Sequence, residues 1–112
     1  MKYIGIINCF KSSHKCTGSG CFKAFYNKDA AFEIYTDEEI RMMSFTHCNG
    51  CSENSVENVV EIGKKMKGRG VDVIHLSSCV RSKCPHLENF KRALSKELPV
   101  VEYTHKKKKK RD

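Results

Sequence analysis

Residues 2 to 8 form a nearly continuous apolar run containing Tyr3, Ile4, Ile6 and Ile7. A strand without alternating polar residues has to be covered on both faces, which points to a parallel sheet flanked by helices rather than an antiparallel sheet with one wet face. The remaining sequence supplies the covering elements in a strand, loop, helix order. Gly20 to Asn27, with Phe22, Ala24, Phe25 and Tyr26, predicts a short helix, whereas residues 30 to 39 carry no clear period. Ile40 to Thr46 predicts a second strand through Ile40, Met42, Met43 and Phe45, although Met is a weak strand former.

The clearest helix runs from Asn54 to Lys67, where Val56, Val59, Val60, Gly63 and Met66 recur at spacings of three and four. Asn54 is placed to cap it with Glu57 three positions on, Lys64, Lys65 and Lys67 suit its negative end, and Gly68 and Gly70 stop it. Val71 to Leu76 predicts a third strand. Pro85 opens another helix with an apolar stripe of Leu87, Phe90, Leu94 and Leu98, Pro99 ends it, and Val100, Val101 and Tyr103 predict a fourth strand. Alternation at this spacing implies parallel strands joined by right-handed crossovers. The expected fold is an α/β three-layer sandwich around a four-stranded, mainly parallel sheet, with a flavodoxin-like strand order 2-1-3-4.

A chain of 112 residues has the size of one domain. No apolar run approaches the ~18 to 20 residues of a membrane span, and the opening run is too short, with no small-residue cleavage pattern after it, to read as a signal peptide. The expected compartment is the cytoplasm, where structural disulfides are rare and the seven cysteines need another explanation. Their odd number also weakens a fully paired disulfide framework. The net charge of +8 is unevenly spread, since Lys106 to Lys110 and Arg111, offset by Asp112, put +5 of it into the last seven residues. Residues 1–105 are therefore read as the domain and 106–112 as a basic, solvated tail. Contact with nucleic acid or another acidic surface is an expectation for that tail alone, and it lacks the interleaved aromatics that stack on bases.

The cysteines fall at equivalent places in successive units. Cys9, Cys48 and Cys79 stand at the ends of the first three strands, Cys21, Cys51 and Cys84 where the following helices begin, and His105 just after the fourth strand. In a parallel sheet these positions share one edge, the edge where α/β folds place ligands. Helix N-termini favour thiolate over thiol, and thiolates bind metals. Cys48-Asn49-Gly50-Cys51 is a Cys-x-x-Cys turn able to present two sulfurs to a tetrahedral ion such as zinc, Gly50 permitting the bend. The expected metal ligands are Cys9, Cys48, Cys51 and Cys79, with Cys16, Cys21, Cys84 and His86 completing this site or forming a second, and His105 on the same rim. The bland alternative is a set of buried thiols acting as small apolar residues. His75, inside a strand, reads as a core or surface residue, His14 as solvent-exposed, and His47 as an outer neighbour of the site at most.

Cys48-Asn49-Gly50-Cys51 after an apolar strand resembles the Cys-Gly-Gly-Cys that names the CGGC domain family, with Asn49 in place of the first glycine. Cys9, Cys16-Thr17-Gly18-Ser19-Gly20-Cys21-Phe22-Lys23, Ser78-Cys79, Cys84-Pro85-His86 and Thr104-His105 are similar to that family's other signatures, in the same order. The resemblance spans the chain up to His105 and implies a zinc-binding role without a known activity.

Three functions stay open at this point. The first is a metal-binding protein holding zinc or, as a variant, an iron-sulfur cluster. The second is a thiol-disulfide oxidoreductase or redox sensor, with Cys48 attacking and Cys51 resolving. The third is an interaction or sensing module in which metal occupancy or thiol oxidation alters a partner surface. No nucleotide fingerprint appears, and the pattern assigns no catalytic residue.

Overall fold

The structure, a computed structural model, describes residues 1–8, 17–48, 54–78, 80 and 86–104. The apolar opening run becomes β1 (Lys2–Asn8), whose last five residues are buried. Across it lie β2 (Ile40–His47), β3 (Val73–Leu76) and β4 (Val100–Val101), in the order β2-β1-β3-β4. Every pairing is parallel. The order and direction agree with the sequence expectation.

Three helices cover the sheet among the described residues: α1 (Ser19–Asn27), α2 (Ser55–Gly68) and α3 (Leu87–Leu94). Residues without a clear period turn out to hold a 3-10 helix, Ala30–Tyr35, with Ala30, Ala31, Phe32 and Tyr35 buried. A 3-10 turn places side chains every three residues, and a segment this short offers too few for a period to be read.

Alternation along the central strands divides the core in two. Ile7, Ile74 and Leu76 meet Val59 and Met66 of α2 and Phe90 and Leu94 of α3 on one face. Ile4, Ile6 and Val73 meet Phe25 of α1 and Phe32 and Tyr35 of the 3-10 helix on the other. This two-sided burial is what the unbroken apolar run of β1 demanded. Close approach of α2 to β1 requires Gly5, because a Cβ there would stand 2.8 Å from Met66 Sδ. Beside it the β1–β2 register shifts between Ile4 and Gly5, so Met43 of β2 is passed over in the pairing and is half exposed.

Boundaries differ from expectation: α3 ends at Leu94, short of Leu98, β4 ends at Val101, short of Tyr103, and β3 begins only at Val73. Val71 and Asp72 precede β3 rather than belonging to it. They are spent on the turn out of α2, where the Val71 N–H donates to Met66 O and the Asp72 N–H to Tyr3 O. Asn54 does precede α2, but its side chain makes no cap hydrogen bond.

Candidate functional site at the sheet's C-terminal edge

Because all four strands run the same way, Asn8, His47, Leu76 and Val101 end at one edge, and the helices that follow β1, β2 and β3 begin there. That edge carries an unusual share of the buried polar residues: Asn8, Ser55, Ser77, Ser78 and Thr104. Such groups are costly to bury unless they are hydrogen-bonded, and for Asn8, Ser77, Ser78 and Thr104 a chain of bonds across the edge answers the cost.

The chain starts on β2 and crosses the sheet. The Cys48 N–H donates to Asn8 O at 2.9 Å, joining the ends of β2 and β1. The Ser77 N–H donates to Ile7 O at 2.9 Å, and the Ser77 hydroxyl donates to Asn8 Oδ1 at 2.9 Å while accepting the Val80 N–H at 3.3 Å. Ser78 and Thr104 then bond reciprocally: the Ser78 N–H donates to Thr104 Oγ1 at 3.3 Å, and the Thr104 N–H to Ser78 Oγ at 3.2 Å. Thr104 Oγ1 lies 3.2 Å from Cys21 Sγ, which brings in the first turn of α1. The Ala31 N–H donates to Thr104 O at 3.1 Å and ties in the 3-10 helix.

Two of the expected metal-binding cysteines are described, and both sit on this edge. Cys48 is 2% exposed and packs with Ile7, Val59 and Leu76 on the α2–α3 side. Cys21 is also 2% exposed and packs with Ile4, Ile6 and Phe25 on the α1 side. His86 immediately precedes α3, partly buried, its ring centroid 6.0 Å from that of Phe90. Cys9, Cys16, Cys51, Cys79, Cys84 and His105 lie outside the described residues, as do His14 and the lysine tail. Among the described residues no group of three or more His, Cys, Asp or Glu gathers to hold a metal ion. The described neighbours in sequence of three expected ligands are members of the hydrogen-bonded chain, Asn8 before Cys9, Ser78 and Val80 around Cys79, and Thr104 before His105, and Cys48 is itself a member.

Helix electrostatics at the edge favour anionic donors. No N-cap side chain of α1, α2 or α3 bonds the first turn among the described residues, and Gly18 before α1 has no side chain to offer. At α1 the first N–H, that of Ser19, donates instead to the Thr17 hydroxyl at 3.3 Å. Ser55, the first residue of α2, buries its hydroxyl with no hydrogen-bond partner among the described residues.

The polar residues of the edge were the part that pattern reading passed over. Ser78 and Thr104 entered only as flanks of Cys79 and His105, and Asn8, Ser77 and Ser55 not at all. Their signal was position, small polar residues at or shortly after the ends of β1, β3 and β4. His75 is a core residue, wholly buried in β3. A groove of about 610 Å³ lies between β2 and α2, lined by Met43, Ser44, Thr46, Ile62, Lys65, Met66 and Arg69, with no cysteine or histidine among its described lining residues.

Comparison with known proteins adds three findings. The model of the CGGC domain family matches residues 3–105. An uncharacterised protein of Methanocaldococcus jannaschii is 34% identical over 114 residues, a match covering 91% of this chain and 85% of that protein. No solved structure matches the chain significantly.

Proposed function

The chain belongs to the CGGC domain family, and from that premise we propose that it is a metal-binding protein whose ion is zinc, held at the C-terminal edge of the sheet. The ligands are drawn from Cys9, Cys48, Cys51 and Cys79, with Cys16, Cys21, Cys84, His86 and His105 completing the first site or making a second. The observation that carries this reading is the hydrogen-bonded chain from Cys48 through Asn8, Ser77 and Ser78 to Thr104 and Cys21. Ordinary strand packing does not by itself call for buried polar residues at the end of β1, just after β3 and just after β4. Fixing the backbone on either side of several ligands at once does call for them, since metal sites depend on groups that orient the ligands.

The donor chemistry suits zinc. Thiolate and imidazole together match its borderline softness and its preference for four N and S ligands, whereas an iron-sulfur cluster is usually held by cysteine alone. When bound, zinc would cross-link the strand ends and, with an open position, act as a Lewis acid. The protein's own contribution is to hold its sulfurs in place and exclude water from the buried ones. Burial of Cys48 counts against the thiol-disulfide alternative, because an attacking cysteine has to be reached by its substrate.

The test is elemental analysis with native mass spectrometry of protein purified without added metal. Stoichiometric zinc, lost when Cys48 and Cys51 are both replaced by serine, is the expected result. Protein that is metal-free yet folded would overturn the proposal, and a visible absorption band with bound iron would replace zinc by a cluster.

A further inference from the structure

Thr104 engages every polar atom it has. Its N–H donates to Ser78 Oγ, its carbonyl accepts from the Ala31 N–H, and its hydroxyl oxygen meets both the Ser78 N–H and Cys21 Sγ. Thr104 is completely buried, and Cys21 and Ser78 nearly so. A hydroxyl has one proton and two lone pairs. The Ser78 N–H occupies one lone pair, and among the described residues the hydroxyl also makes a short contact, at 3.2 Å, with the Cys21 sulfur. A thiolate can only accept, so in the metal-binding form of Cys21 the Thr104 O–H donates to it.

We propose that Thr104 is a positioning residue for Cys21 as a metal ligand: clamped by Ser78, its hydroxyl aims and holds the Cys21 sulfur at the C-terminal edge of the sheet. The inference rests on the metal-binding reading above and adds to it the residue that orients one of its ligands. The Ser78–Thr104 pair is suited to the task because it joins β3 and β4 just before Cys79 and His105 in the sequence. β4 has only two residues, Val100 and Val101, so ladder bonds alone give this end little support. One clamp thereby serves the segments leading to three expected ligands. A valine at 104 would fill nearly the same volume, so what the threonine adds is the hydroxyl.

The experiment uses the full chain, prepared metal-free and titrated with Co²⁺ under anaerobic conditions. The readouts are the sulfur-to-cobalt charge-transfer intensity per bound ion, the affinity by chelator competition, and the melting temperature of the metal-free form. Thr104→Val is expected to bind cobalt about 10- to 100-fold more weakly, the usual cost of losing a group that orients a metal ligand, with reduced charge-transfer intensity per ion. Thr104→Ser, which keeps the hydroxyl, is expected to restore both. A purely structural role would lower the melting temperature without changing the intensity per bound ion. Wild-type behaviour of Thr104→Val overturns the inference, and so does failure of Thr104→Ser to rescue. Should Thr104→Val not fold, Cys21→Ser decides: unchanged charge-transfer intensity removes Cys21 from the site and the inference with it. The metal-binding reading survives all of these results, because it is decided on wild-type protein alone: it fails if that protein is folded yet metal-free as purified.

Discussion

His75 Nε2 lies 2.8 Å from Tyr35 Oη in the interior, between the 3-10 helix and the central strand β3. The other ring nitrogen, Nδ1, is 3.1 Å from Tyr103 O. A carbonyl only accepts, so Nδ1 carries the proton and Nε2 accepts from the tyrosine. The imidazole also stacks on Phe32, ring centroids 4.4 Å apart. Both nitrogens of a neutral ring are thus satisfied, and a protonated ring would confront the Tyr35 hydroxyl with a second donor.

An acid-sensitive stability follows. Burial pushes His75 down from 6.5 to about 4, opposed by its bond to the Tyr103 carbonyl. Between those values the unfolded chain takes up a proton that the native protein refuses. His75 therefore contributes its full stabilisation above pH ~6.5, and this is lost as pH falls toward 4. The whole interval is worth about 3 kcal/mol at 1.36 kcal/mol per pH unit. Urea unfolding of the metal-free protein at pH 7.5 and pH 4.5 should show a drop of that order, and His75→Phe should remove much of the pH dependence in this window. Equal slopes in the two proteins would contradict this account.

Tyr35→Phe isolates one bond of the cluster. It leaves Nε2 of a buried imidazole without its donor, at an expected cost of about 1–3 kcal/mol. The tyrosine itself is held neutral, burial and then Glu38 pushing it up to about 12. The loss is expected at neutral pH, where the neutral ring accepts from the hydroxyl, and chemical denaturation at pH 7.5 measures it.

Gly63 is fixed by packing. A Cβ at this position would stand 2.5 Å from Leu94 Cδ2, where α2 crosses α3, and Leu94 is fully buried. Gly63→Ala gains up to about 1 kcal/mol in helix propensity. Against that stands the strain of overpacking a filled core, about 1–3 kcal/mol. Since Leu94 has no solvent to retreat into, the net change should be a loss of stability, seen as a lower denaturation midpoint. Gly63→Ala with Leu94→Val should recover part of it.

The sequence made the sheet legible because burial on both faces leaves an unmistakable run in β1, and because α2 repeats its apolar positions over four turns. Order and direction followed from connection rules that depend on element type alone. The 3-10 helix was not legible: Phe32 and Tyr35 are anchors in too short a segment to show a period. The absent Asn54 cap was missed for a related reason, since a good capping residue type does not fix its own rotamer. At the edge, Cys21 and Cys48 stand where strand ends and helix starts predicted them. What the pattern could not disclose was the Asn8–Ser77 and Ser78–Thr104 bonding, because partners 69 and 26 residues apart are joined only by the folded topology.

Metal removal should loosen one end of the sheet selectively. If the ion cross-links residues adjoining Cys48, Ser78 and Thr104, its binding energy stabilises the closed form of that edge, and stripping it lowers the cost of local opening there. The amides of Cys48, Ser78 and Thr104, bonded to Asn8 O, Thr104 Oγ1 and Ser78 Oγ, should then exchange with solvent at least about tenfold faster after chelation, a change of about 1.4 kcal/mol in local opening. The Asp72 and Ile74 amides, bonded to Tyr3 O and Pro99 O near the opposite end of the strands, should be little affected. Hydrogen exchange on the loaded and stripped protein compares the two groups directly. Uniform acceleration at both ends would mean that the metal supports global folding, whereas no change at either would detach the hydrogen-bonded edge from metal binding altogether.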